Sequence, residues 1–411
     1  LVVKGNQRNH CYVIYVIIIR ISASIWRTRW ILKPMGVWPS SSTLSKTDRY
    51  IYRLVNLICY SLMLFLLAPC FAYVILDVET TYLKIKMTGP LSFFVMAIIK
   101  YYWLILHADD IRKCIEYIET DWKSVRHVND KNVMIKNANF GNRLIIICGI
   151  FMFGGDVFFN FAAPFRAARL IAKTENVSFI PLVYPPPSAL IDSRRSPVNE
   201  IFFSIQCVTS IVGHATTVGA CSLAAVFATH ACGQMEVLMT WLKHLVDGRE
   251  DLRKDVNGRF ADIVNKHVRI LSFLALTEKV LQNISLVEVF GCTIDMCLLG
   301  YYCIMEWGSG DITVPMTYAI LLVSLTFNIF IFCYVGELVT EQCERVGKSS
   351  YMTEWYRLPG KKNLDLILMI SMSNSSVKLT AGNIIELSLS SFGDVVKAAV
   401  TYLNMLRTLT S

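Results

Sequence analysis

The sequence predicts an all-α membrane protein. Seven transmembrane helices are expected, with the N-terminus cytoplasmic and the C-terminus extracellular, and some helices extend into a cytoplasmic bundle. Three observations carry this expectation. Of 411 residues, 54% are apolar and only 17% charged, where soluble domains carry about 25% charged residues. The apolar residues gather into segments long enough, or nearly so, to cross a bilayer. The forty Lys and Arg fall unequally on the two sides of those segments. Disordered, collagenous and coiled-coil chains are excluded by the same composition.

The segments, first to seventh, are Leu54–Leu76, Leu91–Leu106, Leu144–Phe165, Ile201–Ala228, Ile284–Met305, Ile312–Val339 and Leu379–Leu406. The second is short and contains Lys100. The seventh contains Glu386, Asp394 and Lys397. Ionisable side chains are expensive in hydrocarbon, so its polar face is expected to line protein or water. Residues 1–53 then form a cytoplasmic tail, 54–406 the membrane domain, and 407–411 a short extracellular C-terminus. Thirty of the forty basic residues lie on the N-terminal side of the membrane, eight on the other, and two within segments. That bias sets the orientation, which is the reverse of a G-protein-coupled receptor. It also gives the net charge of +9 a meaning other than nucleic-acid binding, because no single solvated domain concentrates it.

The connections carry less information. Gln234–Leu245 has helical apolar spacing, Asp247-Gly248-Arg249 breaks it, and a second run begins near Arg259. Cytoplasmic helical extensions are therefore expected over about 231–283, and also over 340–378. Pro181 and Pro185-Pro186-Pro187 make the second outer connection stiff and extended; a lid and a plain connector both fit that composition. Asn176 is the Asn-x-Ser/Thr site in a predicted outer loop and is a candidate for glycosylation. The outer loops contain none of the thirteen Cys, so no disulfide clamp is expected there. Cys11–Ile19 imitates a signal-peptide core, but the basic residues that follow it favour a cytoplasmic tail.

The sequence holds no phosphate-binding loop, dinucleotide fingerprint, zinc-protease motif or nucleophile elbow, and its His are scattered, so neither enzyme chemistry nor a cofactor is expected. What remains are polar and aromatic residues in the outer half of the membrane domain. These are Phe93, Phe94 and Ala97 on the second segment, and Phe153, Asp156, Val157 and Asn160 on the third. The fourth contributes Gln206, Thr209, Ser210 and Gly213, and the sixth Tyr318 and Leu322. Together they are candidates for a cleft that takes a small, mostly neutral molecule. Ordinary helix packing uses the same residue types.

Several motifs occur in an order that resembles the insect odorant receptor family. They are Met35-Gly36-Val37-Trp38-Pro39 before the first segment, Asp121-Trp122 after the second, and His230 with Gln234 at the inner end of the fourth. Gly336, Tyr351, Trp355-Tyr356 and Leu358-Pro359 follow on the sixth. Leu379-Thr380-Ala381-Gly382, Leu387-Ser388, Phe392 and Thr401-Tyr402 mark the seventh. The resemblance covers residues 30 to 410. It implies a ligand-gated cation channel of olfactory sensory neurons, assembled as a tetramer with a co-receptor subunit. It places the odorant between the second, third, fourth and sixth helices. The pore constriction would fall on Met405 and Leu409, four residues apart and so on one helical face. The long inner-loop insertion of the co-receptor is missing, which implies an odour-specific subunit. The gustatory receptors of the same superfamily are the alternative, although they continue from Thr-Tyr to Gln-Phe where this chain has Arg407-Thr408-Leu409. A G-protein-coupled receptor is a more distant one.

Overall fold

The computed structural model of the chain describes residues 25–38, 46–175, 179–189, 191–307, 312–358, 362–374 and 378–410. Both Cys11–Ile19 and Asn176 lie outside them. Among the described residues the fold is a bundle of long helices. After a helical stretch at 25–32 come α1 (Lys46–Leu76), α2 (Thr81–Leu106), α3 (Ala108–Ser124) and α4 (Val128–Val157). A π-helical turn (Phe158–Ala162) runs on into α5 (Ala163–Glu175). Then follow α6 (Val198–Lys243), α7 (Val256–Met305), α8 (Thr313–Tyr351) and α9 (Lys362–Asn374). A small hairpin, β1 (Thr380–Ala381) and β2 (Ile385–Glu386), precedes α10 (Leu389–Thr410). Six of these helical stretches are long and apolar enough to cross a membrane. They contain the first six apolar segments, and α10 is a further helix.

Helix α6 is the axis. Its 46 residues span about 69 Å at 1.5 Å per residue. Almost every residue from Gly213 to Leu238 is buried, because Gly, Ala, Ser and Thr there let neighbouring helices approach closely. Among the described residues, one fully buried Lys–Glu pair ties the apolar helices together. Lys100 of α2 donates to Glu288 of α7 at 2.8 Å, and both side chains are essentially inaccessible. The same ammonium donates to Thr217 Oγ1 on α6 at 2.8 Å, and Asn328 Nδ2 on α8 donates to the second Glu288 oxygen. Four helices thus meet at one satisfied polar node, which explains a lysine inside the second apolar segment.

The connection between the second and third segments is not a loop: helix α3 and the first half of α4 make up most of it. Its Asp121 lies 3.1 Å from His230 Nε2 and accepts from Arg269 Nε at 2.6 Å. Burial alone would raise the Asp121 carboxyl, but His230 and Arg269 hold it below the ordinary aspartate range. Nearby, Asp130 accepts a two-pronged contact from Arg249 at 2.7 and 2.9 Å and a third bond from Trp241 Nε1 at 3.0 Å. The extensions expected over 231–283 are the inner ends of α6 and α7, broken at Asp247-Gly248-Arg249, where Gly248 has φ +83°.

The seventh segment departs from its expected continuous helix. Residues 379–387 form the hairpin instead, because Gly382 and Asn383 adopt left-handed φ of 64° and 58°, a turn conformation that favours Gly and Asn. Glu386 therefore lies on β2, paired with Lys378 at 2.9 Å, not inside a transmembrane helix. Thr380 N donates to Glu278 of α7 at 2.9 Å, and Leu389 N donates to Glu337 of α8 at 3.2 Å. Gly336 leaves room for the Leu387 carbonyl against α8. The hairpin is thus wedged between α7 and α8 and fixes where α10 starts.

Replacing Lys100 with Met strands the Glu288 carboxylate in the interior. Breaking a buried pair in this way costs about 3–5 kcal/mol, so the melting temperature of the purified protein in detergent is expected to fall by several degrees. A K100M protein that melts like the parent would show that the node does not hold the bundle together.

Candidate functional site

A cavity of about 450 Å³ opens between the N-terminal half of α2, the π-turn with α5, and the adjoining parts of α6, α7 and α8. It lies at the opposite end of α2 from the Asp121–His230 contact. Most of its wall is apolar: Leu83, Met87, Pro90 and Phe93 from α2, Phe159, Pro164 and Leu170 around the π-turn, Leu298 and Tyr302 from α7, and Tyr318 and Leu321 from α8. The segment Pro181–Tyr184 closes one side. Proline in this segment denies it a helix, and Gln206 Nε2 pins it by donating to the Tyr184 carbonyl at 2.5 Å. Both readings of this stretch, a lid and a connector, are compatible with its place in the cavity wall.

The π-turn shapes the polar side of the site. One extra residue per turn swings Asn160 inward, where it is buried. It donates to Asp156 Oδ1 and to Ser210 Oγ, both at 2.7 Å, and Ser210 Oγ donates to the same Asp156 oxygen. His214 Nδ1 stands 3.3 Å from that oxygen, while its ring leans on Phe93 with centroids 4.6 Å apart. Asp156, Asn160 and Ser210 therefore brace α4 against α6 one layer behind the wall, and His214 is the member that reaches the cavity.

The residues expected at the site separate into groups. Phe93 and Tyr318 line the cavity. Phe94 is buried behind it, edge-on to Tyr184 at 5.1 Å, next to Gly213 and Ala97. Thr209 is buried and bonds back to the Ile205 carbonyl at 2.8 Å. Phe153 and Leu322 pack half-buried against the core. Val157 is 54% exposed and points away from the cavity, because one step along the helix turns it about 100° from the buried Asp156.

Sequence reasoning missed the contribution of α7. Asp295 lines the cavity, is 2% exposed and accepts from Ser92 Oγ on α2. Two carboxylates seven residues apart in the apolar run of the fifth segment, Glu288 and Asp295, are the signal in the sequence. At the rim, Lys86 and Tyr82 both donate to Glu306 at 2.8 Å, and Lys86 Nζ lies 5.9 Å from the Tyr318 ring. Burial would raise the Glu306 carboxyl, but the Lys86 and Tyr82 hydrogen bonds hold it below the usual glutamate range. This rim contact accordingly stabilises the fold above pH about 4.3 and is lost as the pH falls through the depressed value. Among the described residues no cluster of His, Cys, Asp and Glu is arranged to hold a metal ion. The arrangement is that of an enclosure for a small apolar molecule with a few fixed polar groups.

Comparison with known proteins agrees with this geometry. The sequence pattern of the family described as 7tm Odorant receptor matches residues 83–400. Odorant receptor 10 of Aedes albopictus is 21% identical over 218 residues, 53% of this chain and 57% of that receptor. Odorant receptor 33c of Drosophila melanogaster is 25% identical over 143 residues, 34% of this chain and 37% of that one. These alignments thus span between about a third and somewhat over half of the relatives' own length. The structure of the insect olfactory receptor OR5 from Machilis hrabei in complex with eugenol superposes with a TM-score of 0.80, at 17% identity, over 95% of this chain and 99% of that one. With the family pattern extending over most of the helical bundle, the chain belongs to the insect odorant receptor family.

Proposed function

We propose that this chain is an odour-tuning subunit of a ligand-gated, cation-conducting channel in the cell membrane of olfactory sensory neurons, working with a co-receptor subunit. The observation that carries the proposal is the apolar cavity under the Pro181–Tyr184 segment, since an enclosure of that size and lining suits a small odorant. The thirty-to-eight division of basic residues orients the N-terminus to the cytoplasm and the cavity to the outside.

Helix α10 supports the channel part of the reading. One side of it packs inward through Val395 and Ala399, while Asp394, Lys397, Thr401, Asn404 and Thr408 are exposed at alternating spacings of three and four, which is one helical stripe. A stripe of that kind is stable in a membrane only against water or polar protein. Met405 and Leu409, 61% and 72% exposed, run beside it and suit a hydrophobic constriction that closes by dewetting. On its inner side, Leu403 and Leu406 pack against Leu298, Tyr301 and Tyr302, two of which also line the cavity. The cavity and the inner side of α10 therefore share one wall.

Under voltage clamp, cells expressing this chain with a co-receptor are expected to give odour-evoked cation current. Phe93→Ala and Tyr318→Ala each remove an aromatic wall and are expected to raise the half-maximal odour concentration by roughly tenfold or more. Met405→Ser with Leu409→Ser is expected to raise the resting conductance. Odour responses and resting current unchanged by the double substitution would remove α10 from the pore. Gln206→Leu deletes the donor to the Tyr184 carbonyl, and exchange of the Leu182, Val183 and Tyr184 amides, which precede three prolines, is expected to accelerate by up to about tenfold. An unchanged exchange rate would mean that the segment is held elsewhere.

A further inference from the structure

We infer that Asp295 is a specificity-determining residue of the cavity, selecting apolar ligands that carry one hydroxyl donor, an alcohol or a phenol. The inference rests on the reading of this cavity as a small-molecule site and names the ligand chemistry it takes. Asp295 lines the cavity yet is 2% exposed. One of its oxygens accepts from Ser92 Oγ. The other, Oδ2, is buried with no hydrogen-bond partner among the described residues. Neighbouring polar groups of the wall are already engaged within the protein. Thr317 Oγ1 donates to the Thr313 carbonyl at 2.7 Å, Ser324 Oγ to the Phe151 carbonyl at 2.8 Å, Tyr302 OH to the Tyr82 carbonyl at 3.3 Å, and Lys86 to Glu306. Asp295 is where a donor is missing.

A buried acceptor with no donor is destabilising, and a ligand hydroxyl removes that penalty on binding. An ether of the same shape fills the same space and leaves the oxygen orphaned, which is the situation in which a site discriminates most strongly. An ammonium would also donate, but it must shed its hydration in an apolar enclosure. The hydroxyl is therefore the donor that this cavity suits.

The test uses the full-length chain with its co-receptor under voltage clamp, with surface labelling to follow expression. The probes are 1-octanol, methyl octyl ether and octylamine; 2-phenylethanol, its methyl ether and 2-phenylethylamine; and eugenol with methyleugenol. For the skeletons that fit, the parent is expected to respond to the hydroxyl compound at a concentration at least about tenfold below that of its ether. In Asp295→Leu and Asp295→Ala the difference is expected to shrink to within about threefold, with ether potency kept or improved. The retained ether response shows that the variants are folded and at the surface. Equal potency of hydroxyl and ether in the parent overturns the inference while leaving the receptor reading intact. An amine that is the most potent member of its set overturns the choice of a hydroxyl. Silence of the parent towards every probe counts against the small-molecule reading itself, and the inference falls with it.

Discussion

A lysine ammonium and a glutamate carboxylate, both withdrawn from water, meet in the middle of this bundle at 2.8 Å. Two isolated charges in such surroundings would be prohibitive. Paired, and further satisfied by Thr217 and Asn328, they become a constraint: α2, α6, α7 and α8 can slide past one another only by breaking the node. Its consequences follow from helix geometry. Ser92 stands eight residues before Lys100 on α2, and Asp295 seven residues after Glu288 on α7. The two helices run in opposite directions, so both steps lead about two turns towards the cavity and return to the same face. The Ser92–Asp295 contact is thus the next rung of the register that Lys100–Glu288 sets. On α6, Ser210 lies seven residues before Thr217, and it meets Asp156 and Asn160 at the corresponding level.

Much of this was legible in the sequence because hydropathy and charge asymmetry report directly on membrane spans. The helical extensions of α6 and α7 and the break at Gly248 also followed from local periodicity. The seventh segment did not, since its apolar count hides a change of structure: Gly382 and Asn383 turn the chain, and only their contacts with α7 and α8 make that turn worth forming. The family resemblance marked Leu379-Thr380-Ala381-Gly382 and Gly336 without saying why. The structure supplies the reason, which is that the hairpin backbone sits against α8 where a side chain at position 336 would intrude. Asp121 and His230, also marked by resemblance, are 109 residues apart and touch each other.

The cavity was less legible for a different reason. Residues at the right depth were recognisable, but depth does not fix azimuth. Phe93 faces the cavity while Phe94, its neighbour, turns into the core. Asp156 is buried whereas Val157, next along, is turned outward. The π-turn shifts the phase of every residue after it, and nothing in Phe158–Ala162 announces that turn. Asp295 and Glu288 were overlooked because the fifth segment reads as an ordinary apolar span. Their roles depend on Ser92 and Lys100, which stand opposite them on α2.

In the proposed channel, the same geometry bears on how ligand binding would reach α10. Helix α7 has two working faces at its outer end. Leu298 and Tyr302 border the cavity, and together with Tyr301 they also hold Leu403 and Leu406 of α10. Packed interiors deform little and shift between discrete arrangements, so a ligand that moves this aromatic layer must move α10 or lose its packing. The opposite end of α10 is not free to follow, because the hairpin is clamped by Glu278 and Glu337. A helix held at its start and pushed near its end tilts rather than translates, and the displacement is greatest at its C-terminal turns, where Met405 and Leu409 are exposed.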